Sequence, residues 1–140
     1  MSVLVLSALG LLLLDQATKS LIRRHLPEGR TGWRLSCFEI RRVTNIGAMR
    51  ASRSGRWRLL GLWAAALGAI AVQMQYGRHF QGELAQVALG AACGGATGNL
   101  IEREWRGAVT DFLMIGWWPA FNLADAGITC GALAALWCMW

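Results

Sequence analysis

The sequence predicts a mostly α membrane protein of four transmembrane helices, with a small β platform in the loop between the first and second. Three observations predict it. Hydrophobic residues make up 55% of the 140 residues and charged residues 16%, on the apolar side of the usual soluble balance. The apolar residues run in long blocks between charges: Met1–Leu14, Leu59–Gly77, Leu84–Ile101, and Phe112–Ala124 continuing past Asp125 to Trp140. Aromatic residues bracket the blocks, with Trp57, Trp105, Trp117 and Trp118 at one expected interface and Tyr76, Phe80, Trp137 and Trp140 at the other. A span takes roughly 20 largely apolar residues, about 17 at the short limit. The expected spans are therefore about 1–22, 58–77, 84–103 and 120–140, in a single domain covering 1–140.

The first block lacks a basic leading region, and no small-x-small site directly precedes Asp15-Gln16. It reads as a retained first helix, not a cleaved signal peptide. Asp15 and Lys19 stand at i, i+4, on one face, where they can pair or where Lys19 can snorkel to the interface. Residues 23–56 form a long polar loop. Within it Trp33–Val43 alternates apolar with polar as a half-exposed strand does, and Thr44-Asn-Ile-Gly-Ala48 follows as a turn or tight approach. Arg50–Arg58 is a solvated basic approach to the second helix.

The second span, with Trp63 among Ala and Leu, reads as scaffold. The third carries Gly90, Gly94 and Gly98 at four-residue spacing, a small-residue ladder that lets helix backbones approach closely in lipid. No Gly-Lys-Ser/Thr follows, so it is not a phosphate loop. At its end Asn99 and Arg103 share a face. The fourth span begins after Trp117-Trp-Pro119 and places Asn122 and Asp125 at i, i+3 in its first turns. A carboxylate there also suits a helix N-terminus.

Composition excludes other classes. The net charge of +6 could indicate a nucleic-acid binder, but most basic residues crowd between Lys19 and Arg58 beside apolar spans, which fits a membrane surface. No nucleic-acid partner is expected. Cys130 and Cys138 lie two helical turns apart, beyond bridging reach, and Cys37 and Cys93 stand alone. His25 and His79 are isolated and no Cys/His spacing matches a zinc site. Neither a metal nor another cofactor is expected.

What remains is acid. From Phe112 to Trp140 Asp125 is the sole formal charge, and Asp111 opens that run. Acids in or beside membrane spans are costly and are functional candidates by default. Asp15, the basic loop, Asn99, Arg103, Asp111 and Asp125 all fall at one interface. The polar chemistry converges on one side.

Five segments carry a resemblance: Asp15-Gln-Ala-Thr-Lys19, Thr44-Asn-Ile-Gly-Ala48, Gly98-Asn-Leu-Ile-Glu-Arg103, Val109-Thr-Asp-Phe112 and Phe121-Asn-Leu-Ala-Asp125. In this order they resemble lipoprotein signal peptidase (signal peptidase II), an intramembrane aspartic peptidase family of bacteria. The resemblance implies Asp111 and Asp125 as the catalytic dyad. It implies Asp15, Lys19, Asn45, Asn99, Arg103 and Asn122 as supporting polar positions, with Gly47 and Ala48 shaping a substrate-facing loop. It implies a substrate too: a prolipoprotein cut just before its diacylglyceryl-modified cysteine. Lipid-modified prolipoproteins and membrane lipids are then the partners, and no oligomer is required. It places both termini in the cytoplasm, the β platform outside it, and the active site near the outer face of the inner membrane. Two carboxylates sharing one proton can activate a water and protonate the leaving amine, since close like charges push their pKa values apart.

The sequence departs from the family pattern in places. Glu102 stands for a usual Asp, Thr110 for a usual Val, Met49-Arg50 for a common Ala-Phe pair, and the basic C-terminal tail is absent. These positions are expected to be substrate-facing or peripheral. A positive-inside count alone would put the Lys19–Arg58 loop in the cytoplasm; the resemblance puts it outside, and that placement is followed. Two other classes compete. A small proton-coupled transporter would want acids near the bilayer centre and internal repeats, which are not seen. A catalytically silent scaffold would need only the glycine ladder.

Overall fold

The computed structural model describes residues 2–46 and 82–138, with isolated helical positions at Gly61, Ala64 and Gly68. In chain order the described elements are α1 (Ser2–His25), β1 (Thr31–Leu35), β2 (Phe38–Asn45), α2 (Glu83–Arg106), β3 (Val109–Ile115) and α3 (Leu123–Trp137). The fold is mostly helical with a small antiparallel sheet. The second expected span, about 58–77, lies outside the described residues apart from those three positions, as do Gly47 and Ala48.

α1 distributes its side chains inside out. Its buried residues are Asp15 and Lys19, while Leu6, Leu9, Leu13, Leu14 and Leu21 are exposed. Leucine outside and ions inside suits a helix surrounded by hydrocarbon rather than water. Among the described residues α1 and α2 are long and apolar enough to cross a membrane. α3 has 15 helical residues. It starts at Leu123, because the chain enters it through a cap at Asn122, and residues 139–140 of the expected 120–140 lie outside the described residues.

α2 is the central helix and packs on both α1 and α3. Its glycine ladder meets α1: a methyl group at Gly94 would collide with the Ala8 carbonyl, and one at Gly90 with Ser7 and the Leu4 carbonyl. A second set serves the other side, where a methyl at Gly131 of α3 would strike the Ala88 carbonyl. Small residues thus bring both partners to backbone contact with α2. α2 ends on Gly107 in the left-handed region (φ 71), whose N–H caps the Arg103 carbonyl.

The sheet differs from the expected one. The alternating run from Trp33 breaks at Ser36 (φ 54) and folds back as two strands, and the expected turn at Thr44–Asn45 continues β2. A third strand comes from after α2, giving the order β1-β2-β3. β3 was not legible in the sequence because Phe112–Ile115 run apolar without alternation and Thr110 and Asp111 are adjacent polar residues. Its pairing partner lies more than sixty residues away: Asn45 faces Val109 and Thr44 faces Thr110.

Candidate active site

Asp15, Lys19 and Arg23 repeat every four residues down α1, and the stripe faces α2. Asp15 and Lys19 are both 0% exposed, and they pair at 2.8 Å; Lys19 does not snorkel. Its ammonium also reaches Glu102 Oε2 at 3.2 Å and donates to Asn99 Oδ1 at 2.7 Å. Three acceptors match its three protons. Because Lys19 can only donate, Asn99 must turn its oxygen to it and its amide outward. That amide donates to Asp125 Oδ1 at 2.8 Å. Asp15 works on the same helix end, accepting the Ala124 N–H at 3.0 Å.

Asn122 and Asp125 form a reciprocal cap at the start of α3. Asn122 Oδ1 accepts the Asp125 N–H at 3.0 Å, and Asp125 Oδ2 accepts the Asn122 N–H at 3.2 Å. This is a capping box with a shorter acid at its third helical position. A helix-cap role for Asp125 therefore does not exclude a role in the candidate site. The Asn122 amide then donates to Asp111 Oδ1 at 2.7 Å, so one side chain ties the two aspartates together.

Asp111 is held from β2 as well. Asn45 Nδ2 donates to its Oδ2 at 3.0 Å. The register shifts between Ile40 and Val43, leaving Arg41 and Arg42 opposite Phe112. Such a bulge inverts the faces of every later residue on its strand. Without it Thr44 rather than Asn45 would share the face of Asp111.

Asp111 is 3% exposed. Burial pushes its pKa above the usual carboxylate value and the charge of Asp125 pushes the same way, while the Asn45 and Asn122 hydrogen bonds and Lys19 pull it down. A raised folded pKa keeps the proton on Asp111 to higher pH than in the unfolded chain. Its contribution to stability is present below the unfolded value and falls as pH rises through the folded one. Asn45 donates to the charged form, so Asn45→Ala is expected to raise that pKa further. If Asp111 carries the working proton, the alkaline limb of a kcat/KM pH profile then moves to higher pH; an unchanged or lowered limb would contradict that role.

Beside Asp125 opens an apolar cavity of about 510 Å³ lined by Ile115, Trp117, Trp118, Phe121 and Cys130 among others. Pockets of this size commonly take small ligands or side chains. Asp125 is its charged lining residue and is half-buried; Asp111 is linked to it through Asn122. The lining comes from the segment joining β3 to α3, where Phe121 pairs with Leu113, and from the first turns of α3.

The structure thus brings together Asp15, Lys19, Asn45, Asn99, Asp111, Asn122 and Asp125. Arg103 is half-buried, and its side chain joins none of the cluster's hydrogen bonds among the described residues. Sequence reasoning missed three members. Glu102, expected to be substrate-facing or peripheral, is 2% exposed and takes the Thr110 N–H at 3.1 Å and the Thr110 hydroxyl at 2.7 Å. Two departures from the family pattern therefore touch each other. Arg23, the third, pairs with Glu102 at 2.5 Å. Its spacing from Asp15 and Lys19 was the available signal.

The family model for signal peptidase (SPase) II matches residues 7–140. The chain belongs to the signal peptidase II family. It is 37% identical over 126 residues to the lipoprotein signal peptidase of Rhodococcus jostii, covering 85% of this chain and 63% of that relative. To the lipoprotein signal peptidase of Tolumonas auensis it is 37% identical over 132 residues, covering 87% of this chain and 80% of the relative. The chain therefore spans just under two thirds of the first relative's length and more of the second's. Two solved structures described as a bacterial membrane enzyme, determined in meso at 2.3 and 1.9 Å resolution, share the fold. Each is 26% identical and covers 99% of this chain, with TM-scores of 0.83 and 0.84, over 88% and 93% of the solved chains. The family read from the five segments is the family found.

Proposed function

We propose that this chain is an intramembrane aspartic endopeptidase that removes the signal peptide from diacylglyceryl-modified prolipoproteins, cutting just before the lipidated cysteine. The observation that carries the proposal is Asn122 joining Asp111 and Asp125 beside an apolar cavity. Asp125, at the cavity wall, takes a proton from a water as that water attacks the scissile carbonyl carbon. Asp111 supplies the shared proton to the carbonyl oxygen. As the C–N bond then breaks, Asp125 passes its proton to the leaving amine and a hydroxyl of the tetrahedral intermediate returns one to Asp111, leaving a carboxyl product. Asn99, Asn122 and Asn45 hold the two carboxylates, and Lys19 and Asp15 hold Asn99 and the start of α3. The protonation states belong to the pair and not to either residue. Signal-peptidase relatives and the buried, proton-favouring environment of Asp111 support this reading.

The domain is one membrane unit over residues 1–140, with four spans near 1–22, 58–77, 84–103 and 120–140. We place it in the bacterial inner membrane with the sheet and the dyad at the extracytoplasmic face. Cys37, in the exposed turn between β1 and β2, offers a probe. In a variant retaining only that cysteine, a membrane-impermeant maleimide added to spheroplasts labels it; labelling only after lysis would reverse the topology. The activity test is purified protein with a synthetic prolipoprotein, with and without the diacylglyceryl group on its cysteine. Cleavage before the lipidated cysteine is expected, and cleavage indifferent to the lipid would sink the substrate assignment.

A further inference from the structure

We infer that Arg23, Glu102 and Thr110 form a clasp that sets the position of Asp111, making Arg23 a positioning residue for the hydrolysis; this rests on the peptidase reading above.

Among the described residues β3 is the last strand of its sheet, and its outer edge meets the isolated bridge between Leu113 and Phe121. At Thr110 that edge is closed by side chains. Glu102 accepts both the Thr110 N–H and the Thr110 hydroxyl, and the Thr110 carbonyl faces Asn122 Nδ2 at 3.5 Å. Both backbone polar groups of Thr110 thus turn away from β2, towards the helices. The residue immediately before Asp111 is anchored by the helices.

Arg23 closes the ring. Its Nη1 donates to Glu102 Oε1 at 2.5 Å and to Thr110 Oγ1 at 3.3 Å. The hydroxyl accepts from the guanidinium and donates to the carboxylate, so its rotamer is determined from both sides. Glu102 Oε2 is held separately by Lys19, which leaves Oε1 for Arg23 and the hydroxyl. The Arg23 side chain is 15% exposed and that of Glu102 1%, so water competes little for these bonds. Charge closes as well: Asp15 and Glu102 are balanced by Lys19 and Arg23, with the dyad left outside that balance. Backbone rotation at Thr110 would swing Asp111 off Asn122, and small displacements of a reacting group cost rate steeply.

The test measures kcat and KM on a lipidated prolipoprotein for the full chain in micelles, each variant assayed below its own unfolding temperature. Arg23→Met and Thr110→Val, the latter nearly isosteric, are each expected to lower kcat about tenfold, the scale of one charge-assisted hydrogen bond. KM should stay within about twofold. Arg23→Lys, which keeps a donor, should recover part of the loss. The double variant should be little worse than either single, because both remove one clasp. Wild-type kcat in Arg23→Met, losses confined to KM, or multiplicative losses in the double variant would each overturn the clasp. An Asp111→Asn control separates the two readings. If the wild type cleaves, the control is inactive and Arg23→Met is fully active, the clasp alone fails. If the wild type does not cleave, or the control does, the peptidase reading fails and the clasp with it.

Discussion

Asp111→Asn and Asp125→Asn are each expected to lower turnover of a lipidated prolipoprotein by about 10²–10⁴-fold, the usual yield of a positioned acid or base. The amide cannot carry the shared proton, so the loss falls on kcat more than KM. The two substitutions together should cost little more than either alone, since each already disables the pair. Asp125 also caps α3 through Asn122. An amide oxygen at position 125 can still accept the Asn122 N–H, so the Asn variant tests chemistry with the cap retained. Asp125→Ala would lose the chemistry and the carboxylate half of the cap, keeping the Asn122 Oδ1 bond to the residue-125 N–H, and would add roughly 0.3–1 kcal/mol of helix destabilisation. Single-turnover assays beside thermal unfolding in micelles check this. Appreciable turnover in either Asn variant removes the dyad from the mechanism.

The largest stability effect is expected at Lys19. Its ammonium is 0% exposed and meets Asp15, Glu102 and Asn99. Lys19→Met leaves buried carboxylates without that cation, a loss on the order of 3–5 kcal/mol. Glu102 keeps Arg23, so the uncompensated charge is chiefly Asp15. Adding Asp15→Asn should therefore restore part of the stability while leaving activity low, because Asn99 loses the donor that turns its amide towards Asp125. Denaturant unfolding of the single and double variants measures both. If Lys19→Met is as stable as the wild type, the ammonium is not what holds α1 and α2 together at this end.

Much of the molecule is legible from the chain alone, for identifiable reasons. Apolar run length marks α1 and α2 because lipid demands it, and the glycine ladder marks their contact because only small residues permit backbone approach. Asp15-x-x-x-Lys19 and Asn122-x-x-Asp125 are local: helix periodicity joins the first pair and a helix cap the second. These pairs would exist in any fold that made the same helices.

Tertiary structure decided the rest. Asn45 reaches Asp111 across 66 positions, on the correct face only because a bulge at Arg41–Arg42 inverts β2, and bulges leave no period in a sequence. Glu102 could not be recognised as buried from residues that read as a polar helix end; its burial follows from β3 returning along α2 and from Arg23 arriving on α1. The stretch containing Asp111 and Asp125 was conspicuous at once, as two acids beside apolar sequence. What makes them a pair is Asn122, which reaches back from the cap of α3 to Asp111 on β3. Local chemistry supplied the cap, and strand pairing supplied the acid it meets.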